Sequence, residues 1–392
     1  MHLTVLCGQF RSLAWAICVA AVLLSGGCGT PYRHPQLAPP ANDFPGMAQA
    51  YEAADGSRVP EVDVLLVHGM GYHDATWIQT IAQPLSAALG FSPGAASSSA
   101  TIANGAELYT ETFQDSARTL RVIAVLWSPI TSEAKQRLCY DVNEKTALCT
   151  NPGAFTPYKR AWANGYIKSQ IMDSALADVT FYLGEEGGPL IRDAVDDALL
   201  RSMSVERFTL DQLRTGSVPH ANSTPLFVIS ESLGSKITVD SLDDLEVKKH
   251  APDFARDLRS HIHALFLLAN QIPILNMGTR DAEGHPDVYG HLKAFVNARR
   301  QRRDEQGLSR LPLHIVAFSD PSDIFSYVLT DNAAGTDAIV SNVIVSNDCT
   351  YLGIIENPAN AHEKYIENSP VATAIALGST TLSKAKGVRC AR

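Results

Sequence analysis

Positive charge is scarce in this chain. Its 392 residues carry 32 lysines and arginines against 41 aspartates and glutamates, a formal net charge of −9. No positive excess exists to neutralise phosphates, which argues against nucleic acid as a partner. The one basic run, Arg299, Arg300, Arg302 and Arg303, is followed at once by Asp304 and Glu305 and reads as a solvated helix face. Long apolar runs are scarce too: the stretch Leu13 to Leu24 falls short of the ~20 residues a membrane-spanning helix needs. Cysteine is sparse at seven, and none sits with His or Asp at metal-ligand spacing, so no metal site is expected. What remains, 45% hydrophobic and 19% charged, is ordinary globular composition, with room for one large domain with insertions or for two.

Residues 1–27 hold one charged side chain, Arg11, then the apolar run, then Ser25, Gly26 and Gly27 leading into Cys28. That is the order of a secretory signal: basic region, apolar region, small-residue cleavage site. A cysteine directly after the small residues resembles a bacterial lipoprotein signal, in which Cys28 is lipidated and becomes the first mature residue. The resemblance implies export and a lipid anchor in the bacterial cell envelope, at the outer membrane or the periplasmic face. Plain secretion and an uncleaved anchor are the alternatives. Removing Cys7 and Cys18 with the signal, and Cys28 to lipid, leaves Cys139, Cys149, Cys349 and Cys390. Four cysteines in an exported chain allow three disulfide pairings. Cys139–Cys149, close in sequence, and Cys349–Cys390 are favoured over four free thiols. Residues 28–60, with Pro31, Pro35, Pro39, Pro40 and Pro45, read as a tether, and residues 61–392 as the folded domain.

The organising stretch is residues 225–240. Leu226, Phe227, Val228 and Ile229 have the character of a buried strand. The chain then passes through Ser230-Glu231-Ser232-Leu233-Gly234 into a helix-like segment. A serine at a sharp strand-to-helix turn, normally written G-x-S-x-G, has its oxygen lifted above the sheet edge. Small residues are needed two before and two after it, here Ser230 and Gly234. The candidate nucleophile is therefore Ser232. An earlier strand, Val62 to Val67, ends in His68-Gly69-Met70-Gly71, and the loop after such a strand supplies an oxyanion-hole N–H. The two donors assigned are the backbones of Met70 and Leu233.

Other elements follow in order. Asp74 is a plausible N-cap for a helix running to about Leu89. Ala95 to Ala106, small and polar, reads as loop. Thr119 to Trp127 is a strand stopped by Ser128-Pro129. Residues 128–215 exceed what one crossover helix needs and read as a helical insertion, a candidate cap. Its Asp173, Asp178, Asp193, Asp196 and Asp197 read as a polar outer helix face. A buried strand lies within Ile262 to Ile274, and a basic helix runs from about His291 to Glu305. The strand Leu313 to Phe318 runs into Asp320 and Asp323, two carboxylates just past a strand end. Strands at Ala338 to Val345 and Tyr351 to Ile355 precede a loop carrying His362.

Taken together and in this order, His68-Gly69, Ser230-x-Ser232-x-Gly234, Asp320/Asp323 and His362 resemble the α/β-hydrolase family, and within it esterases and lipases. The resemblance covers most of residues 60–385; residues 128–215 have no counterpart in it. It implies an α/β fold with a mostly parallel central sheet, helices on both faces and a helical insertion before the nucleophile. It implies acyl transfer to Ser232, with His362 as base and Asp323 as the acid that orients it; Asp320 is the alternative acid. Asp323 is preferred because Ile324 and Phe325 follow it, as apolar residues follow the acid in many lipases. Small-molecule or lipid esters are the implied substrates, and neither metal nor organic cofactor is required. An acyltransferase on the same residues and a non-catalytic envelope lipoprotein are the other readings.

Overall fold

A computed structural model describes residues 34–384, apart from 53–59, 143–144, 147, 152, 154–159, 203–223, 246–251, 309–310 and 351–353. The signal segment, Cys28, Cys390 and most of the strand expected at Tyr351–Ile355 lie outside the described residues. The apolar runs assemble one nine-stranded sheet. Its strands are β1 (Gln36–Ala41), β2 (Glu61–Val67), β3 (Ala96–Thr101), β4 (Glu107–Gln114) and β5 (Thr119–Leu126), then β6 (Leu226–Glu231), β7 (Ile262–Leu268), β8 (Leu313–Ser319) and β9 (Ala338–Ile344). They lie in the order β1-β9-β8-β7-β6-β2-β5-β4-β3. The block from β9 to β5 is parallel, and β1, β4 and β3 close the edges antiparallel. The protein is thus α/β with a mostly parallel sheet.

Alternation along each central strand feeds two apolar layers. Val62, Val64 and Leu66 of β2 enter one layer with Phe227 and Ile229 of β6. Leu65 and Val67 enter the other with Leu226 and Val228. A strand buried on both faces is apolar along most of its length, which is why these segments read as nearly continuous runs; the buried Asp63 of β2 is paired with Arg121. Helices Gly187–Ser202, Leu233–Asp244 and Gly290–Glu305 cover one face through residues such as Val195, Ile237 and Phe295. Helices Ala75–Ala88 and Ser369–Leu377 cover the other through Ile78, Leu85, Val371 and Ile375. Each such aliphatic side chain contributes about 1.5–3 kcal/mol on full burial. Asp74 caps the first of these helices as expected, its carboxylate accepting from Thr76 N at 2.9 Å. Strand β2 lies between β6 and β5, so the winding reverses there, and a parallel sheet opens a crevice at the carboxyl end of such a switch point.

Several expectations need correcting. The tether expected over residues 28–60 contributes β1, which pairs with β9 through a register shift between Ala38 and Ala41. Pro39 and Pro40 fall at that shift on an edge strand, where a missing N–H breaks no inner ladder. Phe44, Met47 and Tyr51 after it are buried in the core, so the folded body starts before residue 61. The loop expected at Ala95–Ala106 contains β3, whose residues are exposed throughout but held by the ladder to β4. The aspartates expected on an outer face are largely buried: Asp173, Asp178, Asp196 and Asp197 are at most 5% exposed. For three of them burial is tolerated because a cation meets each, Lys168 on Asp173 at 2.8 Å, Lys135 on Asp178 at 2.8 Å and Arg201 on Asp197 at 2.7 Å. Two of the arginines read as a solvated face are buried as well. Arg299 donates to Ile262 O at 2.8 Å and Arg303 to Ser260 O at 2.7 Å, satisfying carbonyls at the first residue of β7 and at the end of the helix before it.

Residues 128–202 form the insertion and the crossover. Helix Ser128–Gln136 leads to the disulfide Cys139–Cys149, a pair favoured from sequence, with Cα atoms 5.4 Å apart. Helix Trp162–Ile167 then continues through a π-helical stretch, Lys168–Leu176, into Ala177–Leu183. Helix Gly187–Ser202 packs on the sheet and is the crossover to β6. Cys349 is also disulfide-bonded; Cys390, its expected partner, is outside the described residues.

Candidate active site

The turn from β6 into helix Leu233–Asp244 is built by close backbone approach. Ser232 there has φ 53° and ψ −124°, in the left-handed region that costs a non-glycine residue about 1–3 kcal/mol. Its N–H donates to Leu268 O at 2.8 Å, and its carbonyl accepts from Ser235 N at 3.0 Å and Ser235 Oγ at 2.7 Å. A Cβ on Gly234 would stand 2.5 Å from Val67 O and 2.7 Å from His68 O. A Cβ on Gly69 would stand 2.7 Å from the Ser232 Cβ. Ser230, where the usual pattern has glycine, fits with no exposed surface, but its hydroxyl finds no hydrogen-bond partner among the described residues. An orphaned hydroxyl costs about 1–3 kcal/mol.

Three side chains from different parts of the chain meet at this turn. The Ser232 Oγ lies 2.9 Å from His362 Nε2. His362 Nδ1 lies 2.9 and 3.0 Å from the two carboxylate oxygens of Asp323, whose side chain is fully buried. An imidazole facing a carboxylate at Nδ1 carries its proton there, leaving Nε2 to accept from the serine hydroxyl. Asp323 also accepts from Phe325 N at 2.9 Å and from the Tyr365 hydroxyl at 3.0 Å. Asp320 faces elsewhere: its carboxylate accepts from Ser322 N at 2.8 Å and Asn347 N at 2.6 Å, shaping the loop. Of the two aspartates, then, Asp323 is the one brought to His362. Burial pulls the His362 imidazole down, but the hydrogen bond and charge of Asp323, helped by Glu231, outweigh it and leave it above its usual 6.5.

The loop after β2 borders the serine. The Met70 and Leu233 amides, the expected oxyanion donors, meet no acceptor among the described residues. His68 holds the loop from beneath. It is fully buried, stacked between His73 at 4.3 Å and Trp127 at 4.4 Å. Its Nδ1 donates to Gly69 O at 2.8 Å while Nε2 accepts from Trp127 N at 3.0 Å. Burial drives its pKa well below 6.5, so it is a neutral strut. Next along, Gly71, at φ 94°, donates its N–H to Asp178 Oδ2 at 2.7 Å. Asp178 is in turn paired to Lys135, so a buried ion pair in the insertion pins the loop.

Sequence reasoning missed that ion pair, Tyr365 and Glu231. Tyr365 accepts from Asp320 N at 2.6 Å while donating to Asp323, and so spaces the two acidic residues. Glu231, directly before the serine, is buried, receives Trp77 Nε1 at 3.3 Å and is pushed by burial to about 7, against the opposing charge of His362. A carboxylate ending an otherwise apolar strand was its available signal. A cavity of about 410 Å³ opens among the insertion helices, lined by Leu138, Ile167, Met172 and Leu176, and touches none of Ser232, His362 and Asp323. Comparison of the chain with protein-family models, with curated proteins and with solved structures finds no match.

Proposed function

We propose that this protein is a serine hydrolase of the α/β-hydrolase type that cleaves carboxylic esters through an acyl-enzyme on Ser232. The observation that carries the reading is the unbroken hydrogen-bond chain Ser232–His362–Asp323, starting at a serine held at φ 53° on a strand-to-helix turn. His362 takes the serine proton as Oγ attacks the ester carbonyl, and returns it to the departing alcohol. The carbonyl oxygen, now negative, is held by the Met70 and Leu233 N–H groups; losing one such donor costs such enzymes about 2.7–4 kcal/mol. Water, activated by the same histidine, then attacks the acyl-enzyme and frees the acid. Asp323 fixes the ring and stabilises its charged form. The signal-like residues before Cys28 support export and a lipid anchor on that cysteine.

Turnover of p-nitrophenyl esters of increasing acyl length tests the reading. Hydrolysis by the wild-type chain that is lost in His362→Ala supports it. Faster transfer to an added alcohol than to water would move the protein to acyltransferases, and no turnover by folded protein would leave a non-catalytic envelope component.

A further inference from the structure

We infer that the sheet edge carrying Ser232 lies against the lipid bilayer that holds the Cys28 anchor. The inference rests on the reading of Cys28 as lipidated and adds an orientation to the proposed activity. Two independent observations meet at this edge.

The first is where the chain enters the fold. Because β1 runs antiparallel to the central block, its first residue, Gln36, pairs with Ile344 at the carboxyl end of β9. Ile344 is level with Ser319, directly before Asp320. One row further in, Phe318, Leu268 and Glu231 are level, and Ser232 follows Glu231. Strand β1 is four spacings from β6 in the sheet order, about 19 Å across at ~4.8 Å each. Eight Cα-to-Cα steps separate Cys28 from Gln36, a reach of at most about 28 Å when fully extended. The lipidated segment therefore enters the fold at this edge, and its reach spans the distance from β1 to β6.

The second is the apolar rim. The five most exposed large apolar side chains among the described residues are Trp162 at 83%, Ile354 at 80%, Tyr72 at 70%, Met277 at 68% and Ile324 at 67%. Tyr72, Ile324, Met277 and Ile354 follow the carboxyl ends of β2, β8, β7 and β9 within ten residues, and Trp162 opens a helix of the insertion after β5. Ile324 is adjacent to Asp323. Leu308 and Leu311, which precede β8 at the opposite edge, are 41% and 51% exposed. Side chains of this kind, gathered from separate loops, mark an interaction surface. A net charge of −9 supplies no pull toward anionic headgroups, so apolar contact drives the docking, and salt leaves it in place.

The test uses the full chain, reconstituted from detergent into phosphatidylcholine vesicles, with an environment-sensitive fluorophore on single introduced thiols. Met277→Cys, Ile324→Cys and Ile354→Cys report the rim; Leu308→Cys and Leu311→Cys report the opposite edge. Rim probes are expected to shift to the blue and to resist iodide quenching at least threefold better with vesicles than in detergent, at low and high salt, while the opposite-edge probes stay quenchable. Equal quenching at both edges, or protection of the Leu308 and Leu311 probes alone, overturns the inference. So does rim protection that appears without vesicles and grows with protein concentration, which would assign the rim to a second copy. Fluorophosphonate labelling of the same samples reports Ser232 separately. Protected rim probes on an unlabelled protein keep the orientation and remove the hydrolase reading, and labelled protein with unprotected probes does the reverse.

Discussion

The strand-built half of the candidate site and the insertion beside it are held by different forces. Around Ser232 the backbones of β2, β6 and the helix after β6 approach so closely that no atom can be added at Gly69 or Gly234. Contacts of that kind have steep repulsive walls, and the geometry has one solution. The insertion is attached to the same loop by charge: Lys135 meets Asp178, and Asp178 meets the Gly71 N–H. Its outer helices leave Trp162, Tyr166 and Ile167 at least half exposed. The strand half sets where the Ser232, His362 and Asp323 side chains sit, and the insertion braces the loop beside them. Changes in the two halves should separate accordingly.

The largest expected effect lies in the strand half. Asp323→Asn keeps the shape but removes the charge that fixes the His362 tautomer, and a loss on the order of 10⁴ in kcat is expected with little change in KM. Gly234→Ala should follow: its Cβ forces the turn off Val67 O, and a displacement near 1 Å costs about 10²-fold. Steady-state kinetics on protein shown folded by circular dichroism checks both.

In the insertion, Asp178→Ala leaves the buried Lys135 without its carboxylate and should destabilise the protein by about 3–5 kcal/mol, read by urea unfolding. Adding Lys135→Met should recover most of that stability. The Gly71 N–H would still lack its acceptor, so kcat should stay reduced on the order of tenfold, less than the loss of an oxyanion donor. Full recovery of kcat in the double variant would show that the loop needs no support from the insertion.

The smallest effect concerns pH. Since kcat/KM requires neutral His362, and Asp323 holds its pKa above 6.5, activity should rise with pH along a limb centred above that value. Glu231→Gln removes one of the charges that raise it, so the limb should move to lower pH. Glu231 also has a stability signature. Its folded value of about 7 is raised from 4.5, so its contribution is fully present below 4.5 and is lost as pH rises through about 7. The Gln variant should therefore gain in Tm over wild type above pH 7 and not below 4.5.

How much was legible in the sequence follows from how each region is stabilised. Strands β2, β6, β7 and β8 announce themselves because burial on both faces favours nearly continuous apolar runs. Asp323 was preferred over Asp320 from its apolar neighbours, and it is the one that reaches His362. Strand β3 carries no such signal: Ala-Ser-Ser-Ser-Ala-Thr is exposed throughout and is a strand only because β4 lies beside it. Strand β1 was hidden by prolines that an edge tolerates. The buried aspartates looked like a polar face because periodicity records spacing but not partners. Lys135 is 43 residues from Asp178, and no local pattern links them.

One measurement tests the central claim most directly: labelling of the folded full chain by a fluorophosphonate probe, with the modified residue located by mass spectrometry, in wild type and Ser232→Ala. The account predicts one label per chain, on Ser232, formed more slowly while a p-nitrophenyl ester competes for the site and absent from the variant. A folded wild type that takes no label, or a label that survives Ser232→Ala, would contradict it.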